Sequence, residues 1–181
     1  MFKDNLFEEA LIFAATNHKN QKRKGNKLPY IIHPMWVANV LMKVKQSRNM
    51  VLLLTVCLLH DTVEDCGVQI ETIAKLFGYQ VAALVEELTL DKTQYEKIGK
   101  KEYLAIKMSS MSSYGLTIKL CDRFDNIEDM KSMNQEFILN YISETRYILS
   151  YIRSMRKFTK TQLKLVELIE TEMLKYESVP A

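Results

Sequence analysis

The sequence predicts an all-α protein folded as a helical bundle. Glycine and proline are scarce, with 5 and 3 among 181 residues, and a turn-rich β-sandwich or barrel would need more of both. Apolar residues recur at helical spacing along most of the chain, and residues 116–179 contain neither glycine nor proline. Hydrophobic residues make up 48% and charged residues 26%, which is ordinary globular usage and argues against disorder.

Helical periodicity covers most of the first half of the chain. It predicts helices over residues 4–18, 35–44, 51–60, 70–77 and 80–88. Asp4 is a possible N-cap of the first helix, and Pro34 lies where the first turn of the second helix tolerates proline. The third helix is apolar on nearly all sides, which is typical of a central buried helix. Gly78 separates the fourth helix from the fifth, as a residue suited to the position after a helix end.

The second half of the chain is also helical. Periodicity predicts helices over residues 97–108, 116–130, 137–155 and 161–176. We expect Gly115 to precede the second of these and a break near Thr159 or Lys160 to precede the last. No linker or repeat interrupts the chain, so we expect one domain over residues 1–181, with a core of about 4–155 and a C-terminal helix of about 159–177.

Charge is informative mainly through its distribution. There are 25 basic and 22 acidic residues, and the net charge of +3 is too small to predict nucleic-acid binding. One short segment is rich in basic residues, namely Lys19, Lys22, Arg23, Lys24 and Lys27. This segment is either a solvated loop or a surface that attracts an anionic ligand.

The compartment follows from cysteine usage and from the apolar segments. Cys57, Cys66 and Cys121 are odd in number and lack CxxC spacing, which favours reduced thiols in a cytosolic protein. No signal peptide is visible, and the longest apolar stretch is about half the length that spans a bilayer. We therefore expect a cytoplasmic protein that binds no membrane.

Ionisable residues follow directly after the central apolar helix. His60, Asp61, Glu64 and Asp65 are four such residues in six positions, and burying them is costly unless something compensates their charge. A divalent cation is the simplest compensator, because imidazole nitrogen and carboxylate oxygen suit manganese, iron or zinc. The alternative is an exposed acidic helix end with a satisfied histidine.

Two further segments add polar residues to apolar helices. His33 precedes Pro34 at the start of the second helix, and Asp122 and Asn126 lie four residues apart on one face of a later helix. Three apolar helices therefore each carry polar side chains that are suited to a common site.

These residues resemble the HD-domain metal-dependent phosphohydrolases, and among them the hydrolase domain of the RelA/SpoT family, in particular the small alarmone hydrolases. The resemblance covers roughly residues 6–150, and the matching pieces occur in family order. They are Ala14, Ala15, His18, Gln21, Arg23 and Lys24, then residues 29–34, 37–38, 58–65, 77–78, 85–89, 91–92 and 119–123, and Asn126.

The resemblance implies a role for each site residue. The implied metal ligands are His33, His60, Asp61 and Asp122, with manganese the usual ion of the family. Glu64 and Asp65 would orient and deprotonate the attacking water. The residues implied to contact the substrate are Arg23, Lys24, Asn126, Lys92 and Tyr141. By contrast, we expect His18 to be a surface or helix-capping residue.

The implied function is a manganese-dependent pyrophosphohydrolase that removes the 3′-diphosphate of a guanosine alarmone. The family commonly has histidine or tyrosine before Asn126 and arginine two residues after it, whereas this chain has Asp125 and Glu128. Two extra carboxylates near the pocket would change which nucleotide is accepted; the alternative is that both point to solvent. The alternatives are therefore hydrolysis of another nucleotide, such as an adenine alarmone or the 2′-phosphate of NADPH, or nucleotide binding without turnover. The sequence leaves the oligomeric state open.

Overall fold

The computed structural model describes residues 5–177, and most of these residues lie in helices. The predicted all-α class is confirmed. The chain divides into two compact units, residues 1–89 and residues 90–181. Among the described residues, none of the helices combines the length and the apolar content that crossing a membrane requires.

The first unit is built around a buried helix. Its helices are α1 (Leu6–Asn17), α2 (Ile32–Val44), α3 (Met50–Leu59), α4 (Thr62–Cys66), α5 (Ile70–Phe77) and α6 (Tyr79–Leu88). Helix α3 packs against α1, α2 and α6, and α5 packs against α6. Seven of the ten residues of α3 are buried, and each large apolar side chain among them contributes about 1.5–3 kcal/mol to folding. The predicted central helix is confirmed.

The second unit has five α-helices, of which the last three are the longest. Its helices are α7 (Lys92–Ile98), α8 (Lys100–Ser110), α9 (Ser113–Glu128), α10 (Gln135–Met155) and α11 (Lys160–Glu177), with a 3-10 turn at Asp129–Ser132. Helix α8 packs against α7 and α10, and α9 packs against α11. The last helix begins one residue after Thr159, as predicted.

Two predicted helix boundaries were wrong, both near glycine. The predicted helix over 97–108 is divided by Gly99, whose φ of 87° is a conformation that L side chains rarely adopt. Gly115 does not precede its helix but lies in the first turn of α9, where its N–H donates to the Ser112 hydroxyl at 3.0 Å. Asp4, the possible N-cap of α1, lies outside the described residues.

Candidate metal and active site

Two histidines and one carboxylate meet where α2 begins and α3 ends. His33 is the second residue of α2, and His60 and Asp61 directly follow α3. The Nε2 atoms of His60 and His33 lie 3.1 Å and 3.6 Å from the same oxygen, Oδ2 of Asp61. Both histidine side chains are buried and that of Asp61 is 15% exposed. The first unit therefore places three of the predicted ligands together.

The protonation of His60 follows from its second nitrogen. Nδ1 lies 2.7 Å from the carbonyl oxygen of Cys57, and a carbonyl can only accept a hydrogen bond, so Nδ1 carries the proton. In the neutral form of the ring, the lone pair is then on Nε2, the atom that lies 3.1 Å from the Asp61 carboxylate. A lone pair on Nε2 and the Asp61 carboxylate repel each other unless a positive charge binds both.

The donor set fits a divalent cation. Two imidazole nitrogens and a carboxylate oxygen suit manganese, iron or zinc. A histidine that ligates a metal usually donates its other N–H to a carbonyl or a carboxylate, as His60 does to Cys57. A cation would also convert the repulsion between the His60 lone pair and Asp61 into shared attraction.

Tyr30 belongs to this cluster, although sequence reasoning gave it no role. Its hydroxyl donates to Oδ2 of Asp61 at 2.6 Å, and its ring meets the ring of His33 edge-on with centroids 5.6 Å apart. The available signal was its position three residues before His33, one helical turn away. Tyr30 therefore orients a predicted metal ligand.

The predicted catalytic carboxylates lie on α4, directly after this cluster. Glu64 is half-buried and Asp65 is exposed. The backbone N–H of Asp65 donates to the Asp61 carbonyl at 2.9 Å. Partial desolvation raises the pKa of the Asp65 carboxyl, and the nearby Asp61 charge raises it further. A carboxylate with a raised pKa is a stronger general base.

The basic segment after α1 contains two different environments. Arg23 is buried, whereas Lys24 is exposed. The backbone N–H of Arg23 bonds to the Leu28 carbonyl at 2.9 Å, and an isolated β-bridge joins Lys22 to Pro29. The segment is thus a folded hairpin-like loop, and Arg23 does not have the solvated side chain that a simple surface loop would give.

The second unit positions Asp122 on α9. Its Oδ1 accepts from the Asn126 side chain at 2.7 Å, and its Oδ2 lies 2.8 Å from Nζ of Lys119. The predicted shared face of Asp122 and Asn126 is therefore confirmed. Lys119, one turn before Asp122, was not predicted as a contact of the carboxylate. Asp122 itself is 6% exposed, so its two contacts fix a buried carboxylate.

Lys92 and Tyr141, the other two predicted substrate contacts of the second unit, lie in different surroundings. Lys92 is exposed on the first turn of α7. Tyr141 packs its ring against the Arg123 guanidinium at 4.8 Å, and burial raises the pKa of its hydroxyl. Of the two carboxylates that depart from the family pattern, Asp125 is buried and Glu128 is exposed.

His18 differs from its expected surface position. The expected helix-capping position is correct, because His18 is the C-cap residue of α1. The expected surface position is not, because only 2% of the residue is exposed. Its ring packs on the ring of Tyr30 with centroids 4.8 Å apart. Contacts between segments this far apart in sequence are not visible in helical periodicity.

Comparison with known proteins identifies the family. A family model described as an HD domain matches residues 10–156. The chain belongs to the HD-domain family. Similar HD-domain relatives include two proteins named guanosine-3′,5′-bis(diphosphate) 3′-pyrophosphohydrolase MESH1. The one from Xenopus tropicalis is 39% identical over 132 residues, which are 72% of this chain and 73% of that protein. The human one is 39% identical over 130 residues, 71% of each chain.

A solved structure shows the same HD-domain fold. It is described as a metazoan ortholog of SpoT that hydrolyzes ppGpp and plays a role in starvation responses. It is 30% identical to this chain, covers 94% of it and 97% of its own chain, and superimposes with a TM-score of 0.77.

Proposed function

We propose that this HD-domain protein is a metal-dependent pyrophosphohydrolase that converts ppGpp and pppGpp to GDP and GTP with release of pyrophosphate. The observation that carries the proposal is the 39% identity, over about 70% of the chain, to relatives named for that reaction. The cluster of His33, His60 and Asp61 supports it, because its donor atoms fit the cation that such chemistry uses.

The proposed metal ligands are His33, His60, Asp61 and Asp122, and the proposed ion is manganese. When bound, a divalent cation acidifies water and polarises a phosphoryl oxygen. Asp122 is proposed on the family resemblance and on its buried, hydrogen-bonded carboxylate. The free cysteines Cys57, Cys66 and Cys121 are consistent with the proposed cytoplasmic location.

Glu64 and Asp65 are the proposed catalytic pair. One carboxylate orients the attacking water and the other accepts its proton, and the raised pKa of Asp65 suits the second task. The water oxygen forms a bond to the phosphorus attached to the 3′ oxygen, the bond between that phosphorus and the 3′ oxygen breaks, and a proton passes to the 3′ oxygen. Pyrophosphate leaves.

Five residues are the proposed substrate contacts. Arg23 and Lys24 would bind phosphate oxygens, where a guanidinium and an ammonium stabilise the charge of phosphoryl transfer. Asn126 is proposed to contact the ribose or support the metal site, and Lys92 and Tyr141 remain proposed pocket residues.

The test is to incubate metal-free protein with Mn²⁺ and a panel of nucleotides, and to measure pyrophosphate and orthophosphate separately. The panel contains ppGpp, pppGpp, their adenine analogues, NADPH and 5′-nucleotides. We expect pyrophosphate from the guanosine 3′-diphosphates, and loss of turnover when EDTA is added. Release of orthophosphate alone would contradict a pyrophosphohydrolase. If no nucleotide gives a product although Mn²⁺ is demonstrably bound, the protein is not an enzyme for these nucleotides and the alternative of nucleotide binding without turnover stands.

A variant of the second unit tests the ligand set. Asp122→Ala should abolish turnover and weaken Mn²⁺ binding while keeping the helical circular dichroism of the native chain. Ser143→Ala, on the exposed face of α10, is the control and should behave like the native protein. Full activity in Asp122→Ala would remove Asp122 from the site.

A further inference from the structure

Gln21 joins the loop after α1 to α4, the helix that carries the proposed catalytic carboxylates. Its Nε2 donates to the backbone carbonyl oxygen of Asp65 at 3.0 Å, across 44 positions of sequence. The same Nε2 lies 3.7 Å from Sγ of Cys66. Gln21 is not among the residues to which the proposed function assigns a role.

The orientation of the Gln21 amide is determined by its two partners. The Asp65 carbonyl can only accept, so Nε2 must face it, and Oε1 therefore faces Nδ1 of His18 at 2.7 Å. Since Oε1 is an acceptor, Nδ1 of His18 carries the proton. His18 is buried, and its backbone N–H bonds to the Ala14 carbonyl at 2.9 Å as the C-cap of α1.

His18 also contacts Tyr30, the residue that binds Asp61. The ring of His18 lies against the ring of Tyr30 with centroids 4.8 Å apart and planes inclined by 32°. Tyr30 in turn donates to the Asp61 carboxylate at 2.6 Å. The buried side chain of His18 therefore contacts both Gln21, which binds Asp65, and Tyr30, which binds Asp61.

Helix α4 needs such support. It has five residues, little more than one turn. A helix this short is not stable alone, because the entropy lost in ordering its backbone exceeds the free energy gained from its few hydrogen bonds. Gly67 ends it with φ 68°. The direction of the Glu64 and Asp65 side chains depends on this short backbone.

We propose that Gln21, oriented by His18, is a positioning residue for the Glu64–Asp65 pair. Its amide fixes the backbone of α4 at Asp65 and thereby the direction in which both carboxylates point. The catalytic consequence of this inference rests on the proposed function, whereas the structural part does not.

The first test is Gln21→Met, which keeps the length of the side chain and removes both hydrogen bonds. We expect kcat for ppGpp to fall about 10–100-fold with KM changed less than about twofold, because the carboxylates are displaced and substrate contacts are not. Hydrogen exchange should become faster at the amides of Asp65 and Val68, which bond to the carbonyls of Asp61 and Thr62.

The control is Leu6→Ala, at the opposite end of α1. Leu6 is buried, so its truncation lowers the melting temperature through lost packing. We expect unchanged kcat and unchanged exchange in α4, which separates positioning from general stability.

The second test separates the two contacts of His18. His18→Asn places an amide N–H near the position of Nδ1 but removes the ring, whereas His18→Phe keeps the ring and removes the N–H. We expect His18→Asn to keep kcat within about threefold of the native protein and His18→Phe to lose about tenfold. Equal losses in both variants would overturn the assignment of His18 as the group that orients Gln21.

The outcomes are distinguishable from those of the proposed function. If the native protein hydrolyses ppGpp and Gln21→Met keeps native kcat, or if exchange in α4 is unchanged, Gln21 does not position the pair. If the native protein hydrolyses no alarmone, the proposed function fails, and the exchange measurement alone still decides whether Gln21 holds α4.

Discussion

At His60, one hydrogen bond determines what the side chain can do. The Cys57 carbonyl accepts a hydrogen bond from Nδ1, so the lone pair of the neutral ring is on Nε2, which faces Asp61. The same logic applies at His18, where Gln21 selects the protonated nitrogen. Both histidines are buried in the first unit, yet His60 directs a lone pair at Asp61 whereas His18 donates a hydrogen bond to Gln21.

Asp65 is expected to favour activity at the expense of stability. Its pKa is raised in the folded protein by desolvation and by Asp61, so its ionised form destabilises the fold above that pKa and not below the unfolded value. Asp65→Asn should therefore lower kcat at least about 100-fold. In EDTA it should also raise the melting temperature at pH 8, and this gain should vanish as the pH falls towards 4.

The control for this prediction is Glu86→Gln, which removes one carboxylate from the exposed surface of α6. It should leave kcat unchanged and show no comparable loss of effect between pH 8 and pH 4. A melting temperature of Asp65→Asn below that of the native protein at pH 8 would contradict the argument.

At the scale of elements, Arg123 links α9 to α10. Its guanidinium lies 3.0 Å from Glu144 Oε1 and donates to the Thr145 hydroxyl at 2.7 Å, and it also faces the ring of Tyr141. Arg123 is only 4% exposed. These contacts satisfy a charge that would otherwise be costly to bury.

Removing Arg123 alone should be more harmful than removing the pair. Arg123→Met leaves the Glu144 carboxylate poorly solvated and should lower the free energy of unfolding by about 2–4 kcal/mol. Arg123→Met with Glu144→Leu should recover a large part of that loss, since the uncompensated charge is gone. Urea denaturation of the native protein, the two single variants and the double variant measures this coupling, and strictly additive losses would refute it.

The sequence predicted elements well where the signal was local. Helix α3 is recognised by its uninterrupted apolar run, and α11 by its periodicity after Thr159. Gly99 was misread because a single glycine is tolerated inside a helical pattern and its positive φ is not visible in the sequence.

The site was predictable to the extent that its residues are chemically unusual. His60 and Asp61 are recognisable because they belong to four ionisable residues in six positions after a buried helix, which are costly to bury. Asp122 and Asn126 are recognisable from their spacing. Tyr30 and Lys119 have common residue types and gain their roles only from what they contact.

At the scale of the whole molecule, the net charge of +3 understates the local field around the basic segment. A polyanionic nucleotide approaching the exposed lysines of this loop is attracted through a potential that salt screens over about 8–10 Å. The proposed substrate should therefore bind more weakly as salt rises.

Lys24→Met should raise KM for ppGpp several-fold and reduce the slope of log(kcat/KM) against log salt concentration. Lys43→Met, which removes an exposed lysine of α2 away from the loop, is the matched control and should leave the slope as it is in the native protein. Identical salt slopes for the native protein and Lys24→Met would exclude Lys24 from substrate attraction.

The hydrogen bond between Gln21 and Asp65 also bears on the order of folding. It closes a loop of 44 residues, and contacts between distant segments form late because the chain must first lose the entropy of closing that loop. Helix α3 can form locally, but α4 acquires its support only when the end of α1 has docked. Substitutions at Gln21 should therefore accelerate unfolding while leaving the refolding rate nearly unchanged. Glu64 and Asp65, the proposed catalytic carboxylates, would then reach their final positions only late in folding.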